Sequence, residues 1–219
     1  VIQRRNILIA HYKEDLSWLD EFEFDGNIIV YSKTDHRDPK RHISINKSQE
    51  VPMYIKYILD NYDDLPDKIL FMHGHSDSPH QDYPSRYICE NVDWNHEMFF
   101  SVNKRDWYQE VSSNIQVSSG SFDIWLRKYW DIFSEFLSFP ENGLRFYSGA
   151  QFVVDKSLII QYPRLFWQRL YDWSISEEIN LPGYSSDYVS SRIFEYTWHY
   201  IFTKDPIEPQ KEYSQIFKK

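Results

Sequence analysis

Three short clusters of polar, aromatic and charged residues each follow an apolar run. They are His11-Tyr12-Lys13 after residues 7–10, Tyr31-Ser32-Lys33 after 28–30, and His73-Gly74-His75-Ser76-Asp77 after 69–72. If the runs are buried parallel strands, all three clusters leave the sheet on one side, where open α/β sheets bind ligands. His11, Tyr12, Tyr31 and Lys33 are then placed to hold a base, a ribose or a phosphate. The third cluster admits two metal chemistries. In one, Asp77, helped by His75 across Ser76, holds a divalent cation against a diphosphate; carboxylate and phosphate oxygens suit Mg²⁺ or Mn²⁺, and a histidine leans toward Mn²⁺. In the other, His73-x-His75-x-Asp77 opens a zinc hydrolase site. That motif wants histidine directly after the aspartate, where Ser78 stands, and further histidines downstream, where only His80, His96 and His199 remain.

Acid–base chemistry at such a site needs a carboxylate or histidine to take a proton. Two candidates lie late in the chain: Glu195, set among Phe194, Tyr196 and Trp198, and Asp187, in the loop 183–187 before the same apolar segment. Gln151, beside Gly149, is a candidate hydrogen-bonding contact for a ligand. The aromatics Tyr83, Tyr87, Trp94, Trp107 and Tyr108 suggest an acceptor cleft, because sugar faces stack on rings.

The elements that must position these groups read as one α/β domain. Residues 6–10, 27–32 and 68–72 are strands. Asp15 caps a helix carrying Leu16, Trp18, Leu19 and Phe22, and a second helix has Val51, Tyr54, Ile55, Ile58 and Leu59 on one face, with Pro52 in its first turn. Strand and helix alternating in this way imply right-handed crossovers and a mainly parallel sheet. Residues 78–122 have no clean period. Helical spacing returns over 122–137; 144–147 and 151–154 are strands, Asp155 is an N-cap, and helices over about 163–174 and 187–202 finish the fold. Residues 1–203 form the domain, and 204–219 reads as a polar tail or the start of a linker.

Composition narrows the classes. The 219 residues include only six glycines, no two close enough for G-x-G, so a dinucleotide fingerprint and a Walker A loop are absent. The formal charge of −9 argues against sequence-independent nucleic-acid binding. A single cysteine, Cys89, excludes an intramolecular disulfide. No apolar run approaches the ~20 residues of a membrane span, and a cytoplasmic location is the expectation. Aromatic residues make up 18% of the chain, which also fits a non-catalytic carbohydrate-binding module.

The ordered set of segments is more specific than any one of them. His11-Tyr12, 15–19, Val30-Tyr31-Ser32-Lys33, Asn46 and Glu50 leading to 54–58, 62–67, Phe71-Met72-His73-Gly74, 148–154 and 195–202 together resemble a GT-A-like glycosyltransferase family of fungi and large DNA viruses. The resemblance covers about residues 5–202 and implies a donor half to about residue 80, an acceptor half from 81, and Gln151 as a contact for a sugar hydroxyl. It implies a GT-A-like fold, a UDP-sugar donor of the glucose or rhamnose class, a Mn²⁺ or Mg²⁺ ion, and a glycan or glycoprotein acceptor such as a viral capsid protein. The family's D-x-D metal motif falls on His75-Ser76-Asp77, so histidine stands where the family carries its first aspartate.

Overall fold

The computed structural model describes residues 3–218 apart from 21, 36, 97, 112–121, 177–178 and 180–182, and only the backbone of 122–124. Three apolar runs form the parallel strands β1 (Arg5–His11), β2 (Asn27–Ser32) and β3 (Lys68–His73), with β1 between the other two. These runs are continuous rather than alternating in polarity because the sheet is covered on both faces. Leu8, Ala10, Ile69 and Phe71 face α1 (Val51–Asn61), while Ile7, Ile9, Leu70 and Met72 face a second core on the other side. The α1 apolar face is the one its spacing predicts, and Pro52 sits in its first turn, where the missing N–H costs nothing.

The stretch read as irregular holds α2 (Ser85–Asn91), β4 (Phe99–Ser101) and β5 (Tyr108–Val111), and residues 112–121 lie outside the described residues. The helix expected over 122–137 is shorter: α3 (Phe122–Tyr129) passes into a 3₁₀ turn at Trp130–Ile132. β6 (Leu144–Tyr147) and β7 (Phe152–Asp155) are both strands, as expected, but belong to different sheets. Residues 148–151 are too few for a parallel crossover. β6 pairs with β5 alone, while β7 enters the main sheet antiparallel to β3 and β4, giving the order β2-β1-β3-β7-β4. The sheet is therefore mixed, with four strands running one way and β7 reversed.

Asp155 caps α4 (Lys156–Ile160) by accepting the Ser157 N–H, and α5 (Arg164–Ser174) and α6 (Ser186–Thr203) follow where helical spacing places them. Two further expectations change. Asp15 does not start an α-helix; its carboxylate takes the N–H and hydroxyl of Ser17 and closes a 3₁₀ turn over Ser17–Leu19. Nor are residues 204–218 a tail. Ile216 and Phe217 are buried, Phe217 bridges Val92, and Ile207 bridges Arg145. The buried Glu208 carboxylate accepts the N–H of Ser101 at 3.2 Å and of Tyr147 at 3.0 Å, tying the two sheets together. Two apolar anchors and one buried acid are enough to hold a segment that is polar on average. Among the described residues, no helix is long and apolar enough to cross a membrane.

Candidate functional site

The carboxyl ends of β1, β2 and β3 meet at a cleft of about 440 Å³, within the range of small-molecule sites. Ala10, Tyr12 and Glu14 line it from the β1 end, Lys33 from the β2 end, and His73, His75 and His80 from the β3 end. Gln49, Glu50 and Met53 come from the start of α1, and Asp187 from the first turn of α6. Ser185, not Asp187, caps α6 by accepting the Tyr188 N–H, which leaves the Asp187 carboxylate to face the cleft and accept the Gln49 N–H at 3.2 Å.

The entry to α1 carries backbone strain. Ser48 and Gln49 both sit in the left-handed region, at φ 55° and 49°. Two consecutive non-glycine residues hold that conformation only when the surroundings impose it. Here the Ser48 hydroxyl contacts the Ser174 carbonyl at the end of α5 and the Ser190 hydroxyl on α6, and the Lys47 ammonium donates to the Ser176 carbonyl at 3.0 Å. The strained turn aims Gln49 and Glu50 at the strand ends.

Burial sets the electrostatics. It pushes the Glu50 carboxyl up to about 8, with Glu195 adding repulsion. It pulls the Lys33 ammonium down to about 8, against the attraction of Asp187 and Glu50. The Lys33 ammonium also donates to the Lys47 carbonyl at 2.6 Å. Burial holds His73 well below the ordinary histidine range and His80 at about 4, so both are neutral near pH 7. His73 Nδ1 lies 3.0 Å from His80 Nε2, and His73 Nε2 faces Glu50 at 3.8 Å without a hydrogen bond.

Of the residues singled out in the sequence, Tyr12, Lys33, His73, His75 and Asp187 line this cleft. The others are placed elsewhere. Tyr31 alternates to the α1 face, is buried, and donates its hydroxyl to Asp60 at 2.7 Å in a separate hollow. His11 engages the Ser32 hydroxyl at 2.8 Å and the Glu14 carbonyl at 3.2 Å, behind the cleft wall. Gln151 is 0% exposed: its Oε1 accepts from the His73 N–H and Gln81, and its amide nitrogen reaches Asn103, so burial keeps it from a ligand in the cleft. Glu195 accepts from the Ser148 hydroxyl and from the Gly149 N–H at 3.0 Å and pairs with Arg192, which makes it a clamp between α6 and the β6–β7 turn. Ser76 and Asp77 are exposed and outside the cleft lining, and Asp77 Oδ1 accepts the neighbouring Ser78 N–H at 2.8 Å.

The aromatics expected at an acceptor cleft scatter as well. Trp94 is buried in the second core, and Tyr83 and Tyr87 stack on each other beside Phe217. His73, His75 and Asp77 do not converge, and among the described residues no group of three or more His, Cys, Asp or Glu side chains is placed to hold a metal ion. The three protein ligands that a hydrolytic zinc site needs are therefore not found together among the described residues.

Residues 7–217 match a family described as a protein of unknown function, DUF3431. The chain belongs to the DUF3431 family. No curated protein and no solved structure matches it. In this DUF3431 chain, sequence reasoning missed Glu14, Gln49, Met53 and His80 as cleft residues and assigned no role to Asn46 or Glu50. Glu14 had a signal: it is the carboxylate nearest after the first polar cluster. Gln49 had none, because its position depends on the two left-handed residues, and neither is the glycine or asparagine that usually marks them.

Proposed function

We propose that this chain is a nucleotide-sugar-dependent glycosyltransferase of GT-A-like fold, acting with a divalent cation on a UDP-linked donor and a glycan acceptor. The observation that carries the reading is the convergence of the β1, β2 and β3 ends on one cleft large enough for a nucleoside diphosphate. Its polar groups match the chemistry. Lys33 offers a cation to phosphate oxygens. The Tyr12 ring, half exposed and with its hydroxyl accepting from Asn46 at 3.4 Å, offers a stacking face for the base. Sugar transfer passes through an oxocarbenium-like transition state while negative charge grows on the leaving diphosphate. A bound divalent cation supplies charge neutralisation at that leaving group. The proton of the acceptor hydroxyl goes to Asp187, the carboxylate on the α6 side of the cleft. With Glu50 largely protonated at pH 7, the cleft repels an anionic donor less than its three carboxylates imply.

Thermal melting with UDP and Mn²⁺ tests the reading. A ligand at a hundred times its Kd stabilises by about 2.7 kcal/mol, which for a chain of this size raises Tm by roughly 5–10 °C. The shift should fall sharply in Lys33→Ala. Absence of any shift with UDP, UDP-glucose or UDP-rhamnose, together with a shift by free oligosaccharides alone, would favour a carbohydrate-binding module and defeat the proposal.

A further inference from the structure

The structure places a carboxylate where sequence spacing does not look for one. Glu14, in the loop after β1, lines the cleft opposite His75, which follows β3. Its Oε2 is fixed by the backbone N–H groups of Tyr12 at 2.6 Å and Lys13 at 3.1 Å. Its other oxygen, Oε1, has no such partner among the described residues and faces His75 Nε2 at 3.7 Å. The approach of the two loops depends on Gly74: a Cβ there would stand 3.2 Å from both the Ala10 carbonyl and Glu14 Oε2. The Trp18 indole N–H, donating to the Gly74 carbonyl at 3.0 Å, holds the same contact.

We propose that Glu14 supplies the carboxylate that position 75 lacks, so that Glu14 and His75 form a two-donor half-site for a divalent cation. The inference rests on the donor reading above and adds which residues of this chain hold the cation. Two donors each about 2.1 Å from one ion stand about 3 Å apart when cis; Oε1 and Nε2 are 3.7 Å apart, so the exposed His75 ring closes the pair by a movement of under about 1 Å. A carboxylate with an imidazole prefers Mn²⁺ to Mg²⁺. Two protein donors make a weak site alone, in keeping with the lack of any three-residue metal group among the described residues. Ions of this class are held by one or two side chains plus substrate phosphates. The half-site is therefore completed by the diphosphate, and cation and nucleotide bind cooperatively, each raising the other's affinity by the same factor. Asp77, turned onto its own loop, is not a donor.

Mn²⁺ binding followed by the electron paramagnetic resonance signal of the free ion decides this. For the unaltered chain, UDP should raise Mn²⁺ affinity tenfold or more. Glu14→Gln keeps an oxygen for the Tyr12 and Lys13 N–H groups, and His75→Ala alters an exposed side chain. Each should reduce UDP-dependent Mn²⁺ binding at least tenfold, with circular dichroism unchanged. Asp77→Asn should stay within twofold. Loss of binding in Asp77→Asn with Glu14→Gln unaffected overturns the assignment. UDP binding of equal strength with and without Mn²⁺ overturns the half-site and leaves the donor reading standing. No UDP binding at any Mn²⁺ concentration overturns both.

Discussion

Replacing Glu50 with glutamine should change how stability depends on pH. The carboxyl is buried at the start of α1, and its pKa rises from 4.5 to about 8 on folding. Between those values the unfolded chain gives up the proton while the folded chain keeps it. The folded state then binds more protons, so this residue makes stability fall as pH rises, by about 1.4 kcal/mol per unit at most. Below 4.5 both states are protonated and the residue costs nothing; above about 8 the cost is complete. The full window corresponds to at most about 4–5 kcal/mol, the value of about 8 already containing the attraction to Lys33. Glutamine matches the shape and does not titrate. Urea denaturation at pH 5, 6, 7 and 8 for both chains should show the variant gaining stability relative to the unaltered protein at each step. Other groups also slope with pH: Glu208, raised to about 7, in the same sense, and His80, lowered to about 4, in the opposite one. The difference between the two chains largely removes them. Parallel curves for the two chains would refute the argument, because they would mean that Glu50 is ionised in the fold.

Three further outcomes separate the cleft from its surroundings. Tyr31→Phe loses a hydrogen bond to Asp60 and should cost about 1–2 kcal/mol; its response to UDP and Mn²⁺ should not change, since the ring faces the other hollow. Glu195→Gln keeps an acceptor for Ser148 and Gly149 but leaves Arg192 without its ion pair, so chemical denaturation should show a loss of about 1–3 kcal/mol. Gly149→Ala puts a Cβ 2.6 Å from Asn103 Oδ1 at a φ of +119°, where side chains are strained in any case. It should lose about 2–4 kcal/mol in the same assay.

The parallel half of the fold was legible because each strand there is a continuous apolar run and α1 keeps a clean 3.6-residue period. The elements between residues 78 and 111 were not, because β4 and β5 are three and four residues long, too short to establish any period. β7 shows a related limit. Its residues announce a strand, but which sheet it joins and in which direction depend on its partners β3 and β4 and not on its own pattern. Glu208 and Phe217 were hidden in a polar segment, since one buried acid and two apolar anchors hardly alter an average.

The site divides along the same line. Tyr12, Lys33 and His75 were found because a residue just past a strand end is placed by that strand alone. Tyr31 lies inside β2, one residue before its end, and its side chain packs against α1, whereas Lys33 lies just past the strand's end. Glu195 and Gln151 were chosen for chemical type, and the structure uses both for hydrogen-bonding duties inside the fold. A carboxylate in an apolar segment is as readily a clamp as a base, and only its partners distinguish the two. For Glu14 and Glu50 the logic reverses. Glu14 keeps one oxygen facing the cleft after its backbone N–H partners are satisfied, and Glu50 is held beside His73 by a turn that no local propensity favours. Strain of that kind is retained where the surrounding structure enforces it, and here the enforcing contacts come from α5 and α6, the elements that also deliver Asp187. The strained turn and the first turn of α6 are therefore one mechanical unit. A perturbation at the Ser48–Ser190 contact should be felt at Asp187 and Glu50 together, before it is felt at Glu14 and His75 on the opposite wall.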